Sequence, residues 1–430
     1  MLEKQIEALA LKFATEKIQK ALKDELNINI CAAKLPSPNP QKSYMLYAHV
    51  PFCHTFCPYC SFHKYHYDEQ KAKIYFEDLR SQMVKVKELG YDFSTMYVGG
   101  GTTLINELEL EKTLILAKKL FNITQISCES DPSHINDLER FKGLIDRLSV
   151  GVQSFDDEIL RKIGRFEKFG SGEMVRDKLE KIAQILPALS VDLIFNFPNQ
   201  SKESLLNDIK MAKSTNAAQF TFYPLMKSNL TKDSIAKSLG VSLKDNEREF
   251  YELICKNMDG YEQGNVWSFS KKDKTAIKDE YVSAFSEYLG LGSGAFSFLD
   301  GKLLINAFNL DDYGQRANSE ASCVIASCEF SKKNRALYLL LTQLFDIKMN
   351  FKDFCAQNNI DKNDLSLILL LLKISKVITQ NGDEITLSAF GRYLVLVMMK
   401  EFYIGMDKLR AIFGTKSLKS GQINIIKEKL

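Results

Sequence analysis

From Tyr44 onward the chain repeats one rhythm: a short apolar run, then a longer amphipathic stretch. The runs are "YMLYAHV", "TMYVGG", "QISCES", "RLSVGV", "LSVDLIF" and "QFTFYP", starting near residues 44, 95, 125, 147, 189 and 219. Between them lie segments such as "EQKAKIYFEDLRSQMVKVKEL" and "SKESLLNDIKMAKST", whose apolar residues recur at helical spacing. Strand and helix in alternation imply parallel strands joined by right-handed crossovers. Six such units predict an α/β fold, a partial (β/α)6 barrel resembling a TIM barrel. Its site would lie at the C-terminal ends of the strands.

Other segments frame that barrel. Leu2, Ile6, Leu9, Phe13, Ile18, Leu22 and Leu26 predict an amphipathic N-terminal helix, and "KLPSPNPQKS" after it reads as a linker. Residues 1–43 are thus expected as helix and linker, and 44–300 as the barrel with accessory elements. Residues 301–330 are expected as a linker, and 331–430 as a helical lid. Within the lid, "KVITQNGDEITLSAFGRYL" predicts strand, Asn-Gly turn, strand and helix, with Ser388 as N-cap, a winged-helix-like pattern. Residues 240–330 show few clear turns. "LSLILLLL" and "YLVLVMM" are too short to span a bilayer and read as buried helix.

Charge excludes one class of partner. Lys and Arg number 57 against 54 Asp and Glu, so no overall basic excess points to nucleic acid. "MLEKQIEALALKF" is charged from Glu3 and lacks the apolar core of a secretory signal, which points to the cytoplasm. Clustered cysteines in a reducing compartment suggest metal before disulfide.

The cluster lies in "HVPFCHTFCPYCSFHKYHY", from His49 to Tyr67, after the first strand. It holds Cys53, Cys57 and Cys60, spaced C-x3-C-x2-C, and four of the five histidines. Structural zinc wants four ligands, commonly as two knuckles, and no second knuckle is present. Thiolates also bind iron–sulfur clusters. Three cysteines on a four-iron cluster leave one iron open to the amino and carboxylate groups of S-adenosylmethionine. Reductive cleavage of the sulfonium would then release a 5′-deoxyadenosyl radical. Cys31, Cys128, Cys255, Cys323, Cys328 and Cys355 sit mostly in apolar contexts and read as small buried side chains.

This spacing after a first barrel strand is the signature of the radical SAM superfamily. "YAHVPFCHTFCPYC" more narrowly resembles its oxygen-independent coproporphyrinogen III oxidase branch, which includes haem chaperones and anaerobic haem-degrading methyltransferases. The resemblance implies a [4Fe-4S] cluster on Cys53, Cys57 and Cys60, with Tyr47 beside it. It implies S-adenosylmethionine on Gly99, Gly100, Gly101, Thr102 and Glu129, with Arg165 at the methionyl carboxylate and Gln153 and Asp192 at the ribose. Taken singly, the glycines read as a turn, Asp192 as a cap or surface charge, and Arg165 as a solvated basic face. Their order after successive strands groups them.

The resemblance further implies a tetrapyrrole substrate (coproporphyrinogen III or haem) and a reductase or flavodoxin-type electron donor, with neither nucleic acid nor a membrane span. The reading expected is an oxidase-like enzyme. The alternatives are a haem-degrading methyltransferase, a haem-trafficking chaperone, or a radical enzyme on another substrate.

The chain departs from its relatives at Phe62, where the oxidases carry a further cysteine, and at Ser61, where the chaperones carry aspartate. "DEYVSAFSEYLGLGSGAFS" lacks the chaperones' His-Asn and Tyr-Trp elements, and "GGGTTL" lacks the usual proline. "YEQGNVWSF", with Trp267, is expected either to line the substrate site or to form a core aromatic cluster. His54 is expected to donate a hydrogen bond near the cluster, and His63 and His66 to face solvent.

Overall fold

A computed structural model describes residues 2–242, 244–274, 287–416 and 418–425. The six expected strands are β2 (Met45–Val50), β3 (Thr95–Gly100), β4 (Gln125–Ser130), β5 (Arg147–Gln153), β6 (Ala188–Phe195) and β7 (Gln219–Pro224). Each pairs parallel with the next. They are nearly continuous apolar runs because helices cover them, among them α2 (Glu69–Glu88), α3 (Glu107–Leu120), α4 (Gly172–Ile182) and α5 (Lys202–Ser214). Several helices begin on a residue that answers their free N–H groups. Asp68 caps α2, Ser171 caps α4 and Ser201 caps α5.

The barrel is open. The free edge of β7 takes the short antiparallel β8 (Ser268–Ser270), and that of β2 takes β9 (Tyr288–Leu291) in parallel. The sheet then continues antiparallel through β10 (Phe296–Leu299), β11 (Lys302–Asn306) and β12 (Val324–Glu329). It ends on β1 (Asn27–Ile30) and β16 (Gly421–Asn424); with the two-residue strand Glu262–Gln263 beside β8 at the other end, it has fourteen strands among the described residues.

Two expectations are corrected here. Residues 301–330 are not a linker: they hold β11, the helix Leu310–Ala317 and β12, all inside the sheet or packed on it. Residues 1–43 are more than α1 (Leu2–Glu25) and a linker, because β1 between them pairs with both β12 and β16. The two ends of the chain therefore meet in one ladder.

The C-terminal region contains α6 (Lys332–Leu344), α7 (Phe351–Asn358), α8 (Lys362–Ile374) and the long α9 (Ala389–Thr415). Beside them is a three-stranded sheet of β13 (Lys348–Asn350), β14 (Ile378–Asn381) and β15 (Glu384–Leu387). Asn381 pairs with Glu384, so the turn is Gly382-Asp383 rather than Asn-Gly, with the glycine at φ +61°. Ser388 caps α9, accepting from the Gly391 amide. Trp267 joins this region to the barrel. It is fully buried, edge-on to Phe345 at 4.9 Å and against Tyr223 at 5.0 Å. Lys400 Nζ lies 2.6 Å from the buried Glu247 carboxylate and ties α9 to the same side.

The two apolar runs divide. Tyr393, Leu394, Val395, Leu396 and Met399 are buried in α9 as expected. In α8 only Leu365 and Leu369 are, while Leu367 and Ile374 are each 68% exposed. The outer stripe of α8 turns from the core toward a cavity, where no described residue covers it fully.

Asp208 on α5 fixes the turn that leaves β5. It is buried, and it accepts from the Phe155 amide at 2.6 Å and from Ser154 Oγ at 2.9 and 3.0 Å. Burial pushes its carboxyl up to about 7, against the lowering by those donors. A carboxyl raised in the fold stabilises most below its unfolded value and loses that contribution as pH rises through about 7. Urea unfolding of wild type should therefore lose stability between pH 5 and pH 8. Asp208→Asn, which cannot ionise, should flatten that slope; equal slopes would refute the assignment.

Candidate functional site

The C-terminal ends of β2 to β7 open into one cavity of about 1240 Å³. Every residue expected to bind cluster or cofactor lines it except Gly99, which sits beneath on β3. Cys53, Cys57 and Cys60 arrive on the loop after β2 and are half-buried free thiols. Cys53 is pushed up to about 11 by burial and then by the neighbouring Cys60, and burial likewise raises Cys60. Buried thiols that repel one another's negative charge hold their protons until a cation replaces them. This donor set fits an iron–sulfur cluster: each thiolate can take a separate iron, and among the described residues no three such side chains converge on a single ion.

Tyr47 points from β2 into the cavity, its hydroxyl 2.8 Å from His49 Nδ1. Burial, then the Glu129 charge, raises this phenol well above its ordinary range, so it stays protonated. His49 Nε2 lies 3.0 Å from the His63 carbonyl. Burial lowers His49 to about 4 and His63 to about 3, so both are neutral at pH 7.

Glu129, at the end of β4, accepts from Tyr97 Oη at 2.8 Å and from the Gly100 amide at 3.1 Å. Gly100 has φ +118°, and a Cβ there would strike the His49 ring. Gln153 leaves β5 at φ +75°, an uncommon conformation for a residue with a side chain and one often found at functional sites. Both carboxylate oxygens of Asp192 accept from Ser149 Oγ, at 2.7 and 2.6 Å.

Arg165 is 6% exposed, which removes the solvated-face alternative. One of its nitrogens lies 3.4 Å from Cys57 Sγ and 2.9 Å from Tyr59 Oη, and the other donates to the Gly151 carbonyl. Its Nε is a buried donor without a partner. An unsatisfied cationic donor beside a thiol, lining a cavity, suits an anionic group of a bound molecule.

The sequence reading missed Asp131. It is buried, lines the cavity, and holds His134 Nδ1 at 2.8 Å, Lys168 Nζ at 3.1 Å and Thr102 Oγ1 at 3.2 Å. Burial opposes its ionisation, but His134 and Lys168 outweigh that and hold its carboxyl well below the usual range. The signal was "SDP", which reads as a turn.

Of His54, His63 and His66, the first two differ from expectation and His66 meets it. His54 is exposed and stacks on His134 at 5.4 Å, with ring contacts rather than a hydrogen bond. His63 does not face solvent; its Nε2 lies 3.0 Å from Ser293 Oγ, and it lines the cavity. His66 is exposed and stacks on Phe56 at 4.0 Å. Trp267 is a core aromatic, as one of its alternatives had it, and it also lines the cavity. The turn in "GLGSGA" reaches the cavity through Gly294 and Ala295, whereas residues 275–286 of the adjoining segment lie outside the described residues. Among the other cysteines, Cys31 is exposed, Cys255 half-buried, and the remaining four buried.

Residues 47–212 match the radical SAM superfamily. The heme chaperone HemW of Bacillus subtilis is 28% identical over 284 residues, which span 62% of this chain and 74% of the relative. The oxygen-independent coproporphyrinogen III oxidase of Helicobacter pylori is 27% identical over 57% of this chain and 60% of its own length. The structure of coproporphyrinogen III oxidase HemN from Escherichia coli superposes with a TM-score of 0.67 at 21% identity, covering 84% of this chain and 91% of that one. It shares the fold. A [4Fe-4S] cluster and S-adenosylmethionine are the cofactors that go with this superfamily and this fold. Among the described residues no helix is long and apolar enough to cross a membrane.

Gly100→Ala should lower the thermal midpoint, since an unfavourable φ alone costs ~1–3 kcal/mol and the new methyl must also displace His49. Gly143→Ala has a positive φ of 77° and no atom within 4 Å, so it carries the backbone part alone. Equal melting shifts for the two variants would show that the His49 contact contributes nothing.

Proposed function

The barrel of this chain belongs to the radical SAM superfamily, and from that premise we propose an enzyme that uses a [4Fe-4S] cluster and S-adenosylmethionine to modify a tetrapyrrole. One observation carries the reading. A single cavity is lined by the three cysteines, by the polar ends of β2 to β6, and by apolar side chains of α1, α6, α8 and α9. At about 1240 Å³ it exceeds the ~300–1,000 Å³ of an ordinary ligand site. It has room for the cofactor and a second, large apolar molecule.

In this reading Cys53, Cys57 and Cys60 hold the cluster, with Tyr47 beside it. Gly100, Gly101 and Thr102 offer backbone to the methionyl amino group, and glycine permits the close approach, while Gly99 supports them from beneath. Glu129 orders that edge through its bond to the Gly100 amide. Arg165 takes the methionyl carboxylate with the fork geometry suited to it. Asp192 and Gln153 take the ribose hydroxyls. When bound, the reduced cluster and S-adenosylmethionine together supply a carbon radical that abstracts hydrogen. The chain's own part is to position the substrate, exclude water behind the apolar walls, and keep Tyr47, His49 and His63 uncharged around the reacting atoms. The reaction class is hydrogen abstraction from a propionate side chain or methyl transfer to a meso carbon, with a flavodoxin-type protein as electron donor. A second reading, haem binding without chemistry, is favoured by the relatives named heme chaperones.

Cys53→Ala, Cys57→Ala and Cys60→Ala should each lose most bound iron, while Cys323→Ala and Cys355→Ala keep it. Asp192→Ala and Arg165→Ala should keep the iron and bind S-adenosylmethionine about tenfold to a hundredfold more weakly, as loss of a charged hydrogen-bond partner costs ~1.5–3 kcal/mol. Iron analysis and calorimetric titration read both effects, and unchanged cofactor affinity in both cradle variants would sink the assignment.

Anaerobic incubation with reductant, S-adenosylmethionine and either coproporphyrinogen III or haem separates enzyme from chaperone. The enzyme should yield 5′-deoxyadenosine or S-adenosylhomocysteine, faster with tetrapyrrole present, together with a pigment of altered mass. Haem bound with its mass unchanged and no nucleoside product would favour the chaperone. Cleavage indifferent to every tetrapyrrole would point to another substrate class.

A further inference from the structure

Arg410 lies near the C-terminal end of α9 and lines the same cavity as the cysteine loop. One guanidinium nitrogen lies 2.7 Å from Asp407 Oδ1, and Asp407 is itself buried. The other nitrogens have no hydrogen-bond partner among the described residues. The Arg410 side chain is 15% exposed and lines the cavity, so these donors are open to a bound molecule. Two aromatic rings flank the guanidinium: Phe62 at 5.1 Å and Phe296 at 5.6 Å from centroid to Cζ. Phe62 follows Cys60 by two residues and stands where the oxidase relatives carry a cysteine. The departure in the loop is therefore the ring on which this arginine rests.

We propose that Arg410, held by Asp407 and flanked by Phe62 and Phe296, is the carboxylate anchor of the substrate chamber, selecting a planar apolar molecule that bears an acid group. The inference rests on the proposed function and deepens it, since it names what the second occupant of the cavity must carry. A planar guanidinium pre-set by aromatic contacts presents two parallel donors to a carboxylate, which a lysine cannot copy. The apolar walls of the same chamber, including Ile18 of α1, Leu341 of α6 and Leu371 of α8, suit the apolar body of the same molecule. Arg410 is near enough for its charge to be felt at Tyr47, His49 and His63. An acid held on it thus brings its neighbouring carbons toward the cluster loop.

The test is fluorescence titration of the iron-loaded protein with two pairs of probes: mesoporphyrin IX and its dimethyl ester, and 1-pyrenebutyrate and its methyl ester. Wild type should bind each acid at least about tenfold more tightly than its ester, the scale of one charge-assisted hydrogen bond. Arg410→Gln should lose that preference and keep its affinity for the esters, its iron and its affinity for S-adenosylmethionine. Arg410→Lys should restore only part of the preference. Equal affinity of wild type for acid and ester overturns the anchor, whatever the variants do. If wild type ignores both porphyrins yet prefers pyrenebutyrate to its ester through Arg410, the tetrapyrrole reading falls and the anchor stands. If wild type binds none of the four, both fall.

Discussion

Everything at the site depends on β2 being paired in parallel on both edges. β3 holds one side from Met45↔Thr95 to Val50↔Gly100, and β9 holds the other from Met45↔Tyr288 to Ala48↔Leu291. The strand cannot slide, because a slip of one residue would turn Tyr47 from the cavity into the opposite face. The cysteine loop therefore starts from a fixed point. The glycines ending β3 are set beside it by the same ladder, and β4 to β6 follow in register. Glu129, Gln153 and Asp192 are placed by strand pairing.

The six parallel strands were legible because they are buried on both faces and so written as unbroken apolar runs between amphipathic helices. The second half of the sheet carries no such mark. β9 to β12 are four to six residues long, and their turns are irregular glycine-bearing bends such as Gly292 and Gly294, both at positive φ. β1 was invisible for another reason. Four residues, "NINI", become a strand only because β12 and β16, hundreds of residues away, supply partners on both edges.

The same division holds among the side chains. Cys53, Cys57, Cys60, Glu129 and Asp192 were legible because spacing and order after successive strands carry meaning. His63 was misread as a loop histidine because its partner, Ser293, is 230 residues further on. Asp131 hid in an ordinary Asp-Pro turn, and its charge partner Lys168 follows a different strand. The apolar run of α8 misled in the opposite sense. Seven apolar residues in a run of eight suggest a core, yet Leu367, Ile368, Leu371 and Leu372 border the chamber.

The pairing of β1 with β16 joins residues near the start of the chain to residues 421–424. On a ribosome the barrel strands and the cysteine loop are complete by Pro224, whereas α9 and β16 emerge nearly two hundred residues later. The floor of the chamber is therefore made long before its roof. In that interval β2 has β3 on one edge and still awaits β9 on the other. The loop that bears the three cysteines is thus synthesised well before α9, which lines the same chamber.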